Sequence, residues 1–214
     1  MKKEDISQQQ FERILECFMQ SMAKHGLKGT TMDSIASKLQ MSKRSLYEIF
    51  GNKNEILKEA HKHYENKIGL KLQEIFISSN NVMEAIIKCF LYNRDLMSNI
   101  NAEFFRDMDQ FVKKHKFISE SQCIHNHHNL HVVLERGVQE GYFRDDINIM
   151  VQVRMFSIQM QALKNMEELF PPDISLLEVY DNVIIGFLRA ISSPKGLIEL
   201  EKYLPSLSSL SNND

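Results

Sequence analysis

Residues Thr30 to Phe50, TTMDSIASKLQMSKRSLYEIF, constrain what this chain can fold into more than any other stretch. Met32, Ile35, Ala36 and Leu39 fall at i, i+3, i+4 and i+7, the apolar stripe of a short helix, and Thr30 and Thr31 stand before it as N-caps. After Gln40 and Met41 comes Ser42, another N-cap residue, and then a second helix that turns Leu46, Ile49 and Phe50 inward and Lys43, Arg44, Ser45 and Tyr47 outward or forward. Two short helices joined by so tight a turn share one small core. The second leaves two cations, hydroxyls and a phenol exposed near the positive end of its dipole, where they can donate to phosphates and base edges. This is the layout of a helix-turn-helix with a DNA-reading second helix. The plainer alternative is a packed helical hairpin with a solvated basic face, in which caps, stripe, turn length and exposed donors coincide without a function.

The flanking segments fit the same unit. Phe11, Ile14, Leu15, Phe18, Met19 and Met22 repeat at helical spacing up to Gly26, a natural C′ residue. Gly51 can end the recognition helix in the same way. Asn52, with Glu55 three residues on, resembles a capping box for the next helix and places Lys53 at the junction, where a phosphate contact is expected.

A long first helix, Gly26 to Thr31, Ile35-Ala36, Ser42-Lys43, Leu46-Tyr47, Phe50, Lys53 and Glu55-Ile56-Leu57 follow one another without gaps. In this order they resemble the N-terminal signature of the tetracycline-repressor (TetR) family, over roughly residues 9 to 60. The resemblance implies an all-α fold with an N-terminal three-helix helix-turn-helix DNA-binding domain and a C-terminal helical effector-binding and dimerisation domain. The expected boundaries are 1–53 for the DNA-binding domain, 54–204 for the helical domain and 205–214 for a disordered tail. The function implied is a DNA-binding transcriptional regulator, usually a repressor in that family. It would bind a palindromic double-stranded operator as a homodimer and be released by a small apolar effector. Thr30, Thr31, Ser42, Lys43, Arg44, Ser45, Tyr47 and Lys53 are the expected DNA contacts, with Arg44 and Ser45 nearer bases and Lys43, Tyr47 and Lys53 nearer phosphates. Gln40 departs from the glycine usual at that turn, and a positive φ there would cost of order 1 kcal/mol. Glu48 adds a carboxylate that can repel a phosphate or accept from a cytosine amino group.

The net charge of -2 looks wrong for a DNA binder until it is divided by region, because residues 1–53 hold nine Lys and Arg against six Asp and Glu. The head is therefore positive and the remainder acidic, which limits promiscuous attraction to nucleic acid. With 43% hydrophobic and 25% charged residues in 214, the chain can bury a substantial core. It shows no alternating strand pattern. Cys17, Cys89 and Cys123 are widely spaced and suggest neither a disulfide framework nor a thiolate metal site. No signal peptide or membrane-length apolar run is present, so a soluble cytoplasmic protein without a membrane partner is expected.

Beyond Asn52 the spacing predicts a long helix toward Phe76, ended by Ser78-Ser79-Asn80-Asn81. Further helices are expected at about 82–99, 101–116, 119–141, 147–169, 175–192 and 197–203. The helices at 147–169 and 175–192 are apolar on more than one face and need partners on two sides. Either they pair with a twofold mate as a four-helix bundle, as dimers of the resembled family do, or both faces are buried within one protomer.

The central helices are rich in Phe and Met, which more often form plain core. The resemblance makes some of them effector contacts, and Phe90, Phe104, Met108, Phe111, His127, His131 and Met155 are the candidates. His127, His128 and His131 lie at helical spacing within a histidine-rich run that includes His125, so a metal-responsive regulator is one alternative. No carboxylate completes a ligand set, however, and solvated or pocket-lining histidines are the simpler reading. No metal or other cofactor is expected. No Gly-rich phosphate loop, HExxH, GxSxG or nucleophile with a readable base is present, so an enzyme is not expected. A helical protein-interaction module without ligand control is the remaining alternative, and filled core positions would favour it.

Overall fold

A computed structural model describes residues 6–98, 100, 102–115 and 120–203. Eleven α-helices run in chain order among the described residues: α1 (Gln8–Gly29), α2 (Met32–Lys38), α3 (Lys43–Phe50), α4 (Lys53–Ser78), α5 (Val82–Ser98), α6 (Ala102–His115), α7 (Glu120–Gln139), α8 (Ile149–Gln161), α9 (Met166–Leu169), α10 (Leu176–Ile191) and α11 (Pro194–Glu201). The only extended pairing among them is an isolated antiparallel bridge between Phe143 and Ser192. The all-α expectation holds, and no helix among the described residues is long and apolar enough to cross a membrane. The expected disordered tail, 205–214, lies outside the described residues.

The chain divides into two compact units, Met1–Gln73 with Asn99–Asp107 and Glu74–Ser98 with Met108–Asp214. In the first unit, Ile14, Leu15, Phe18, Met19 and Met22 of α1 are buried with Met32, Ile35 and Ala36 of α2, Leu46, Ile49 and Phe50 of α3, and Ile56, Leu57 and Ala60 of α4. Phe11 stacks on Phe50 with ring centroids 5.3 Å apart, tying the start of α1 to the end of α3. Gly26, at φ 66°, kinks α1 where its regular turns end, and Gly51, at φ 75°, closes α3 with its N–H donated to the Tyr47 carbonyl at 2.8 Å. Asn52 Oδ1 accepts from the Glu55 N–H at 3.1 Å and so caps α4.

In the second unit α7 packs on α8, and α10 packs on α5 and α8. The α7–α8 loop is clasped to the α10–α11 junction. Ser193 donates its N–H to the Tyr142 carbonyl at 2.9 Å and its hydroxyl to the Gly141 carbonyl at 2.7 Å, while Arg144 N–H donates to Ile191 O at 2.9 Å. Glu140 accepts from Arg136 Nε at 2.5 Å and from the Val82 N–H at 2.8 Å, covering the N-terminus of α5. The glycines here answer to close approach. A Cβ on Gly196 would stand 2.0 Å from the Tyr142 carbonyl oxygen, and one on Gly137 would stand 2.1 Å from the buried Phe143 ring.

Two element boundaries differ from the sequence-based expectation. The helix expected over 147–169 stops at Gln161, passes through a 3₁₀ turn at Ala162–Lys164, and resumes as α9 after Asn165, whose φ of -122° and ψ of 35° are not helical. Ser157 Oγ donates back to the Val153 carbonyl at 2.8 Å in the turns before the break. The last helix begins three residues earlier than expected, because Ser193 caps it through the Gly196 N–H and Pro194 occupies its first position.

Gly196→Ala is expected to lower stability by about 1–3 kcal/mol in urea titration, since the obstructing atom is backbone and must shift. Gly69→Ala in the exposed middle of α4, where a Cβ meets nothing within 4 Å, should be neutral or stabilising by up to about 1 kcal/mol. Equal effects at the two sites would show that the clasp does not constrain the backbone.

Candidate nucleic-acid interface

The α2–α3 turn is built from local chemistry. Thr31 Oγ1 accepts from the Ser34 N–H while Ser34 Oγ accepts from the Thr31 N–H, both at 3.1 Å, a reciprocal capping box that starts α2. At the other end of α2, Met41 N–H donates to Ala36 O at 2.9 Å and Gln40 N–H to Ser37 O at 3.1 Å, with Gln40 at φ 55°. This is a Schellman turn with glutamine where glycine would relieve strain. Ser42 then caps α3 by accepting from the Ser45 N–H at 3.0 Å, and the two serine hydroxyls lie 2.8 Å apart.

This frame presents most of the expected contact residues on one side of the α2–α3 pair. Ser42, Lys43, Arg44 and Tyr47 are exposed, Ser45 is half-buried, and Thr31 is exposed at the N-terminus of α2. Lys43 Nζ lies 2.6 Å from Asp33 Oδ1, and Arg44 Nε donates to Glu48 Oε1 at 2.9 Å. These pairings raise the proton affinity of both cations, through the Asp33 hydrogen bond for Lys43 and the Glu48 hydrogen bond for Arg44. Both remain charged throughout the physiological range.

Two expected contacts are placed differently. Thr30 is fully buried, its hydroxyl donating to the Gly26 carbonyl at 2.9 Å and lying 3.5 Å from Ser21 Oγ. It closes the end of α1 and does not face a ligand; Thr31 alone is the cap of α2. Lys53 is half-buried and donates from Nζ to the carbonyl of Leu27, in the last turn of α1 just after the Gly26 kink. The adjacent Leu27 N–H donates to Asp107 Oδ2 of α6 at 2.7 Å. Burial pushes the Lys53 ammonium below the ordinary lysine value, while the Asp107 carboxylate pulls the other way. The bond to the Leu27 carbonyl uses one of the three ammonium donors of Lys53 and restrains where the other two can reach.

The effector candidates separate by environment. Phe90, Met108 and Phe111 are buried in the second unit, where Phe90 stacks on Tyr180 at 5.5 Å, and Phe104 is buried in the first unit against the edge of Phe105 at 5.7 Å. Met155 is half exposed on α8 and is therefore not a core residue of this chain. The side chains of Cys123, His125, His127 and His128 lie outside the described residues. His131 is described and stands 3.6 Å from Glu135. Sequence reasoning missed Arg94, buried on α5, whose Nε reaches both Asp181 oxygens at 2.9 and 3.0 Å. Burial outweighs the arginine there and holds the Asp181 carboxyl above its ordinary value. The signal in the sequence was a lone arginine among the apolar positions of α5.

Comparison with known proteins agrees with this geometry. Residues 14–60 match the model of bacterial regulatory proteins of the tetR family. The HTH-type transcriptional repressor KstR2 of Mycobacterium tuberculosis is 25% identical over 140 residues, covering 64% of this chain and 70% of that protein. The solved structure of the ketosteroid transcriptional regulator KstR2 of Mycobacterium tuberculosis superposes with a TM-score of 0.58 at 20% identity, covering 88% of this chain and 97% of the other. A TetR-family transcriptional regulator from Agrobacterium tumefaciens gives 0.65 at 13% identity, covering 87% and 99%. At these identities the structural likeness is one of fold.

Lys53→Ala is expected to weaken binding to every duplex alike and to flatten the slope of log affinity against log salt by about one unit. Thr30→Val should leave that slope unchanged and lower stability by about 1 kcal/mol, because it removes the buried hydroxyl's hydrogen bond to the Gly26 carbonyl, which then keeps only the Thr30 N–H. An unchanged slope for Lys53→Ala would keep Lys53 a structural residue of the α1–α4 contact.

Proposed function

We propose, from the premise that this chain is a DNA-binding transcriptional regulator of the tetR family, that it acts as a homodimeric repressor of a palindromic operator. The observation that carries the reading is α3, a short helix capped by Ser42 that holds Lys43, Arg44 and Tyr47 in solvent beside the exposed N-terminus of α2. Arg44 and Ser45 are assigned to base edges and Thr31, Lys43 and Tyr47 to phosphates, with Lys53 joining them through the donors that its bond to Leu27 leaves. The repressor sense follows the matched relatives, which are named repressors.

Dimerisation is assigned to α8 with α10. Met150, Val151, Met155 and Ile158 of α8 are each at least half exposed and recur along one side of the helix, a continuous apolar stripe that a twofold mate would cover. α10 is buried along Val179, Tyr180, Ile184, Phe187 and Leu188, so α8 supplies most of the uncovered apolar surface of this pair. Two recognition helices one DNA turn apart, roughly 34–36 Å, read a palindrome and convert two weak half-sites into one strong site. Release follows if a small, mainly apolar effector is held by the Phe- and Met-rich helices of the second unit and favours a form that cannot seat both heads. An effector that binds both forms equally shifts nothing.

Selection of the purified protein against a random duplex pool at about 0.15 M salt tests the reading. Enrichment of an inverted repeat is expected, and no enrichment by folded protein would refute it. Ile158→Glu should convert a dimer to a monomer at micromolar concentration in analytical ultracentrifugation and reduce operator affinity at least tenfold. A monomeric wild type, or a dimer untouched by Ile158→Glu, would remove α8 from the interface.

A further inference from the structure

Both cations that open α3 are already matched by carboxylates of the same unit. Lys43 Nζ lies 2.6 Å from Asp33 Oδ1 and 2.9 Å from Oδ2, and Arg44 Nε donates to Glu48 Oε1 at 2.9 Å. Lys43, Arg44 and Asp33 are open to water, Arg44 at 88% and Asp33 at 64%, and the Glu48 side chain is 35% exposed. Exposed pairs of this kind contribute little to folding. Their position is what matters, because each carboxylate presents to its cation the same feature a DNA phosphate would, a negative charge on paired oxygens at contact distance.

We infer that Asp33 and Glu48 are specificity-determining residues, carboxylates that stand in for DNA phosphate on Lys43 and Arg44 in the free protein and so weaken binding to arbitrary sequence more than to operator. The inference rests on the reading of this surface as an operator-binding interface. On random duplex, phosphate attraction supplies essentially all of the affinity. There each cation exchanges carboxylate contact for phosphate contact in whole or in part, and the carboxylate remains beside the anionic backbone. On operator, base-edge hydrogen bonds are made as well, so the same exchange is offset by contacts that arbitrary sequence lacks. The two acids reach the surface by independent routes. Glu48 lies one turn along from Arg44 on α3, whereas Asp33 sits in the first turn of α2, where the positive end of the helix dipole favours a carboxylate. The negative charge of Asp33 therefore remains favoured at this surface when Lys43 leaves it. The head of this chain carries nine cations against six acids, so two such pairs remove a large part of its attraction to bulk DNA.

The test compares wild type, Asp33→Asn, Glu48→Gln and, as a charge control in the second unit, Asp146→Asn. Asp146 is an exposed acid bonded to Arg144 at 2.7 Å. Each is titrated by fluorescence anisotropy against the selected operator and a scrambled duplex of equal length, over about 0.05 to 0.3 M salt. Asp33→Asn and Glu48→Gln are each expected to tighten scrambled-duplex binding about 3- to 10-fold and to steepen its salt slope by up to about 0.9, with a smaller gain on operator. Asp146→Asn should do neither. Unchanged scrambled affinity, equal gains on both duplexes, or a control as effective as the two variants would overturn the inference. So would a Glu48→Gln protein that loses operator affinity without gaining on scrambled DNA, since Glu48 would then be a direct base contact. Failure of wild type to prefer the operator at all would instead refute the operator-binding reading, which separates the two failures.

Discussion

The turn between α2 and α3 is the constraint on which the rest of the head depends. Eight residues of α3 cannot form a stable helix in isolation, since so short a segment does not repay its own nucleation. It persists because Ser42 satisfies the free N–H of Ser45 in its first turn, Gly51 ends it, and Leu46, Ile49 and Phe50 enter the core made by α1 and α2. The turn sets the angle at which that happens. Gln40 occupies a left-handed conformation that disfavours a side chain, yet both bonds of the Schellman turn are intact. The burial of Met32, Ile35 and Leu46 holds the residue in a backbone region it would not choose. Strain at one position is thereby converted into a fixed presentation of Lys43 and Arg44.

Charge at this surface is arranged sparingly. The chain is acidic overall, its head only modestly basic, and the cations of α3 are paired before any DNA arrives. Lys53 is restrained as well, through the Leu27 carbonyl at the Gly26 kink, and Asp107 holds the neighbouring N–H. A surface that exchanges intramolecular partners for DNA gains less from nonspecific phosphate contact than one with bare cations. Sequence preference then rests more heavily on base edges.

Much of the head was legible because its determinants are local. Caps, apolar stripes and terminal glycines lie within a few residues of what they specify, and Gly26, Gly51, Ser42 and Asn52 act where their sequence context places them. The choice between Thr30 and Thr31 was also local, since Ser34 stands three residues after Thr31 and completes its capping box. The start of α11 was written in Ser193-Pro194, although its apolar residues suggested a later one. The restraint of Lys53 was not legible, because its partner is a carbonyl 26 residues away in the last turn of α1, on a residue whose N–H is held by an acid on α6. Nor was the break before α9, where apolar periodicity continues across Asn165 while the backbone does not. The Arg94–Asp181 pair joins α5 to α10 across 87 residues, a distance over which one sequence carries no pairing signal.

The central claim is that the exposed side of α2 and α3 is the surface that meets DNA. Amide hydrogen exchange of the full-length protein, followed by mass spectrometry with and without the selected operator, tests it without altering a residue. The account predicts operator-dependent slowing across Thr31 to Lys53, strongest at the Ser42 to Tyr47 amides that open α3. Slowing confined to the second unit, with residues 31 to 53 exchanging as in the free protein, would contradict it.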